Sequence, residues 1–266
     1  MPLELLRYQL LLPTFALVLA RVAGLVFSVP VLSSGQIPRI VKVWLSVTIA
    51  LMAFPVVTPY LPHSLTLAQA AVGMVGEFII GQVLGLGAGL IFFAAQMAGK
   101  VISHQSGMAL GTAFNPLFDA ESTVLDQLWF LTTLVLFFAL RGHLAVITVL
   151  LGSFKTIPPM MATFDGALAD FLVLILQNIF ELALRLAGPT IIALLLTSLV
   201  MGFLTRTMPQ MNVLSVGFNI KVVAALFIMA LSISLSPGLL GDALFDSLNQ
   251  VGLLFEHVSQ GVIHGA

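Results

Sequence analysis

Residues 186–205 read LAGPTIIALLLTSLVMGFLT and hold no charged side chain. A run of about 20 such residues is what an α-helix needs to cross roughly 30 Å of hydrocarbon. Comparable apolar stretches recur at 10–30, 40–60, 67–98, 124–151, 168–205 and 213–237. Only 8% of the 266 residues are charged, against roughly 25% in soluble domains. A chain so poor in charge cannot present a polar surface to water on all sides, so it reads as an integral membrane protein. In lipid the backbone must satisfy its own hydrogen bonds, which leaves helices or a closed barrel. Continuous apolar runs without strict alternation select helices. The expected fold is an all-α membrane protein of about six long, partly kinked helices forming hairpins, in a single domain over 1–266.

The remaining composition excludes several function classes. A net charge of −1 argues against a nucleic-acid partner. The chain has no cysteine, so neither disulfides nor thiolate metal sites are open to it. The first 30 residues include Glu4, Arg7, Pro13 and Arg21. A cleaved signal peptide has a short, charge-free core, so the N-terminus reads as a first membrane segment. The histidines His63, His104, His143, His257 and His264 are scattered. None forms a paired-ligand pattern, and no nucleophile elbow, phosphate loop or dinucleotide fingerprint is present. No catalytic, cofactor or metal site is expected. For His143 a helix-end or interface role fits better than metal binding.

Two stretches are too long for simple spans. At 1.5 Å per residue, 67–98 would run about 48 Å and 168–205 about 57 Å. Tilt absorbs only part of that excess. Gly188-Pro189 predicts a kink or break in the second. Some helices are therefore expected to extend past the bilayer, supported by other protein. With six alternating spans, Arg39, Lys42, Lys100, Arg206 and Lys221 fall on one side and Arg7 and Lys155 on the other. The positive-inside rule places the richer side in the cytoplasm and the N-terminus outside.

Four constellations stand out. Gly73, Glu77, Gly81, Gly85 and Gly89 recur every four residues and form one ridge. Small residues at that spacing let helix backbones approach closely, either within a bundle or along a seam for another subunit. Glu77 is costly in lipid and should face protein or water, and Arg21, near Gly24 and Ser28 on one face, should likewise point inward. Gln177, Glu181 and Arg185 share a face, with Glu and Arg in the favourable order for an i, i+4 pair; this is either a structural pair or part of an ion path. Residues 99–123 form the longest polar connection, with Gly107, Met108, Gly111, Phe114, Asn115, Pro116 and Phe118. Small residues with Met and Phe suit an adaptable surface better than a hydrolytic site. Finally, RTMPQMN at 206–212 lies between two apolar stretches. Pro209 can end a helix, and Gln210 and Asn212 can bond the backbone groups this frees.

Taken in order, the motifs resemble the FliR family of flagellar export-gate proteins and its virulence counterparts of the SpaR/YscT type. The likeness rests on Arg21, Gly24, Pro30, IPRIVK at 37–42, GEFIIGQVLGLGAGLIFFAAQMAGKVISHQSGMALGTAFNP at 76–116, GH at 142–143, SF at 153–154, Pro158, and RTMPQMNVLSVGFNIK at 206–221. The chain departs from it at Asn115-Pro116, where Asp-Pro is common, at Asn219, where Pro is common, and at PPM 158–160, where Pro-x-Gly is common. The resemblance implies an all-helical subunit of the bacterial inner membrane, in the flagellar basal body. FliP- and FliQ-type subunits would assemble with it and an FlhB-type subunit would attach at the entrance. Unfolded export substrates would pass through, with membrane lipid outside. It further implies that about 107–123 contributes to a pore plug and that about 168–240 forms a hairpin, with Arg206 and Lys221 at one end. A virulence export apparatus is the alternative the motifs leave open. A self-contained transporter using Glu77, Glu181 and Arg185 is the alternative from the charges alone.

Overall fold

The computed structural model describes residues 2–33, 37–60, 67–109, 123–161, 166–208 and 213–264. Among them the secondary structure is helical: α1 Pro2–Ser28, α2 Pro30–Ser33, α3 Arg39–Val57 with a 3₁₀ turn Thr58–Tyr60, α4 Leu67–Ser106, α5 Val124–Ala139, α6 Gly142–Thr156, α7 Gly166–Thr207 and α8 Val213–His264. Four helices are long and apolar enough to cross a membrane, and α5 and α6 taken as one broken span make a fifth.

Several helix boundaries differ from the pattern of apolar runs. The run 124–151 divides into α5 and α6 because Arg141 adopts a left-handed conformation, φ 58° and ψ 29°. α4 continues through 99–106 and stops at Gly107, whose φ of 87° is the left-handed turn glycine makes at no steric cost. α8 runs on past Pro237. That proline has no N–H for the Ile233 carbonyl, and the Ser236 hydroxyl donates to this carbonyl instead, at 2.8 Å. Side-chain hydroxyls commonly re-satisfy backbone groups freed by proline in membrane helices. α7 is likewise continuous across Gly188-Pro189, so no break occurs there.

The described residues group into two compact units. The first takes in the chain to Leu90, Arg141–Leu176 and the segment from Leu244. Its core holds Leu17, Val18, Val22 and Val26 of α1, Leu84 and Ala88 of α4, Leu150 and Phe154 of α6, and Val251 of α8. α3 packs chiefly on α1 through Lys42, Ser46, Ala50, Ala53 and Val57, with Phe15 and Phe54 edge to face at 5.6 Å. The Ser247 hydroxyl donates to the Gly87 carbonyl at 2.6 Å, tying the end of α8 to α4.

The second unit comprises Ile91–Leu140 and Gln177–Ala243. Phe92 lies 5.7 Å from Phe130 and 5.4 Å from Phe137. Gly99 lies against the Asp126 backbone, so a side chain there would collide with α5. α7 and α8 meet where Met201 covers Gly217. Of the RTMPQMN motif and Lys221, Arg206 is exposed in the last turn of α7 and Lys221 is half-buried on α8. Pro209, Gln210 and Asn212 lie outside the described residues.

Candidate functional site

The most highly organised polar feature lies inside the first unit. Arg21 on α1 is 0% exposed and Glu77 on α4 is 1% exposed. Arg21 Nε donates to Glu77 Oε2 at 2.6 Å. Nη1 donates to Ser153 Oγ and Nη2 to the Ile157 carbonyl, each at 3.0 Å. The Met160 N–H donates to the other carboxylate oxygen, Glu77 Oε1, at 3.1 Å. The guanidinium plane is covered by Phe154, whose ring centre is 4.1 Å from Cζ. Ser153 in turn donates to the Leu150 carbonyl at 2.7 Å. One ion pair thus joins α1, α4, α6 and the turn after α6. A guanidinium has five N–H donors in a fixed fork, which suits it to three acceptors on α4, α6 and the turn after α6; a lysine ammonium could not reach all three in one plane.

Backbone geometry around the pair is equally specific. Met160 has φ 71°, a left-handed conformation that glycine tolerates best. This is the position where the family resemblance has Pro-x-Gly and this chain has Pro-Pro-Met. From this turn the Met160 N–H reaches the Glu77 carboxylate. The methionine side chain meanwhile fills the space over Gly73.

The glycine ridge of α4 packs against α1 beside the pair. A Cβ at Gly24 would meet the Phe78 carbonyl, with Gly81 Cα at 3.0 Å and Gln82 N at 3.1 Å. A Cβ at Gly81 would meet the Arg21 carbonyl, with Gly24 Cα and Leu25 N both at 2.9 Å. Gly85 lies against Leu25 and Ser28, and the Ser28 hydroxyl donates to the Gln82 carbonyl at 3.2 Å. The helices therefore touch backbone to backbone, the contact that small residues permit in membranes. Gly89 is also buried.

The structure places the other candidates separately. Glu181 and Arg185 form their i, i+4 pair at 2.5 Å on α7, each side chain 61% exposed. Gln177 is exposed on the same stripe. Gly107 and Met108 follow α4; Phe114, Asn115, Pro116 and Phe118 lie outside the described residues. The two ends of that connection meet, since Ser103 Oγ and Thr123 Oγ1 are 2.6 Å apart and Thr123 also donates to Asp126 Oδ1 at 3.1 Å. Among the described residues, no group of three His, Asp or Glu could hold a metal ion. A concavity of about 420 Å³ on α8 is lined by Asn219, Ile220, Val223, Ala224 and Phe227. All five come from one helix and none is titratable, so this is an open helix face, not a ligand pocket. The sequence leads Glu77 to face protein or water and Arg21 to point inward, without joining them. Their separation of 56 residues leaves no local signal for the pairing.

Long apolar helices stitched by a buried ion pair and glycine contacts define an all-helical membrane protein built on close helix packing. Residues 12–246 match the family described as bacterial export proteins, family 1. The flagellar biosynthetic protein FliR of Pectobacterium carotovorum subsp. carotovorum is 33% identical over 82% of this chain and 83% of its own length. FliR of Escherichia coli K12 is 30% identical over 80% and 81%. The secretion system apparatus protein SsaT of Salmonella typhimurium is 28% identical over 59% and 61%. The chain belongs to the FliR family of bacterial export proteins.

Proposed function

We propose that this chain is a subunit of the flagellar type III protein export gate, part of the inner-membrane passage through which unfolded flagellar proteins leave the cytoplasm. The observation that carries this reading is the family match across residues 12–246. The flagellar relatives cover more of the chain than the virulence relative does, which favours the flagellar system. The expected partners are FliP-type and FliQ-type subunits, with an FlhB-type subunit at the entrance. Exposed apolar side chains along α7, among them Leu184, Leu195, Leu196, Leu199 and Phe203, supply surface for such neighbours. The transporter alternative loses support. Glu77 is neutralised by Arg21 and Glu181 by Arg185, so each acid it relied on is held in a local pair.

Gentle membrane extraction followed by affinity purification should recover the chain with small helical subunits of the FliP and FliQ types, and its deletion should abolish swimming. Recovery as a stable monomer, under conditions that keep related gates whole, would overturn the reading.

The connection at 107–123 is the plug in this proposal. Ser103 and Thr123, on either side of it, lie 2.6 Å apart, and Thr123 donates to Asp126. Deleting 107–120 should leave assembly intact and make resting membranes leak small ions. An unchanged conductance would remove the plug role without touching the assembly role.

A further inference from the structure

We propose that the outer face of α3 is the surface on which this chain meets membrane lipid, with Arg39 and Trp44 at the headgroup layer of one leaflet and Tyr60 at the other. The inference rests on the export-gate reading and adds to it which face of the subunit lies in lipid.

The length of α3 with its 3₁₀ turn fits a single crossing. Arg39–Tyr60 spans 22 residues, or about 33 Å, close to the roughly 30 Å of a bilayer's hydrocarbon. The other three unbroken candidate spans have 39, 40 and 41 residues and run about 60 Å, and α5 with α6 is bent by 68°.

From Val43 to Tyr60 the chain carries no charge. By contrast, α7 exposes Glu181 and Arg185 in mid-helix, and α8 exposes Asp242 and Asp246. Charged groups facing hydrocarbon are costly, so those faces need protein or water. α4 is mostly covered within the chain.

Side chains divide around α3 by size. Its small residues, Ser46, Ala50 and Ala53, all face inward toward the fold. Helix partners in membranes dock on small residues. The outer face instead presents Ile40, Val41, Val43, Trp44, Leu51, Met52 and Val56, which suit acyl chains. Its hydroxyls are already satisfied within the helix: Thr48 donates to the Trp44 carbonyl at 2.8 Å and Thr58 to the Phe54 carbonyl at 2.7 Å. No hydroxyl between Arg39 and Pro59 asks for a partner outside, since Ser46 donates to the Lys42 carbonyl.

The ends complete the case. An exposed arginine with an exposed tryptophan five residues further on matches the phosphate and interfacial layers, and a tyrosine at the far end matches the opposite interface. The Arg39 end is the cytoplasmic one by the positive-inside rule.

The chain has no cysteine, so single nitroxide labels can be placed at will. Met52→Cys, Leu51→Cys and Ala53→Cys variants would be labelled in the assembled export complex in bilayers, with the signal of the cysteine-free parent subtracted. Positions 52 and 51 should collide with oxygen several times more often than with a water-soluble nickel chelate. Position 53 should be shielded from both. Shielding at 52 and 51 as well means that protein covers the face, and a preference for nickel means water; either result overturns the proposal. In both cases, continued recovery of the complex with normal export leaves the gate reading standing.

Discussion

Glu77→Ala should destabilise the subunit by about 3–5 kcal/mol, the usual cost of leaving one charge of a buried pair unpaired. Domain stabilities are typically only about 5–15 kcal/mol. The variant should therefore fall to a small fraction of the normal level in membranes and fail to support export. Arg21→Ala should behave alike. Arg21→Lys should rescue little, because Ser153 Oγ and the Ile157 carbonyl would lose the guanidinium fork. The double variant Arg21→Met with Glu77→Met removes both charges and should be more stable than either single loss. It should remain below the parent, because the Met160 N–H and the Ile157 carbonyl are backbone groups whose partners are then gone. Thermal unfolding of the purified complex for the four variants and their parent checks the order. A Glu77→Ala protein as stable as its parent would show that the pair contributes nothing.

The second large effect is expected at Gly81. In an unobstructed helix, glycine to alanine stabilises by up to about 1 kcal/mol. Gly202, with nothing within 4 Å of an added Cβ, provides that control. At Gly81 the sign should reverse, because the added carbon meets the Arg21 carbonyl, which is backbone and cannot rotate away. Overpacking of this kind costs on the order of 1–3 kcal/mol, and a leucine at 81 should prevent α1 from seating at all. The blocked atom belongs to the residue that pairs with Glu77, so moving α1 outward also stretches the ion pair. Gly81→Ala and the Glu77 variants should therefore show non-additive losses. Gly81→Ala matching Gly202→Ala in melting temperature would mean that the helices do not approach as closely as their backbones indicate.

The fold class was legible from sequence because it follows from solvent, not from detail. Long charge-poor runs admit few structures other than helices in lipid. Helix ends were less legible, because rules that treat proline as a stop ignore what neighbouring side chains supply. Pro237 reads as the end of a segment, yet Ser236 takes over the orphaned Ile233 carbonyl and α8 continues. Conversely, Arg141-Gly142 reads as part of one run, yet a left-handed arginine divides it.

The same division holds at the candidate site. Sequence by itself determined that this chain is an all-helical membrane protein, that Arg21 and Glu77 need polar cover, and that the glycines of α4 mark a close contact. Each of these follows from the cost of exposing polar groups to hydrocarbon or from spacing along one helix. The pair that local spacing does reveal, Glu181 with Arg185, is exposed on a helix face. Only the tertiary structure decided that Arg21 meets Glu77, that Ser153, Ile157 and Met160 complete their hydrogen bonds, and that Gly81 presses on the backbone of Arg21. Those contacts join residues dozens of positions apart, so their free energy exists only once the helices have packed.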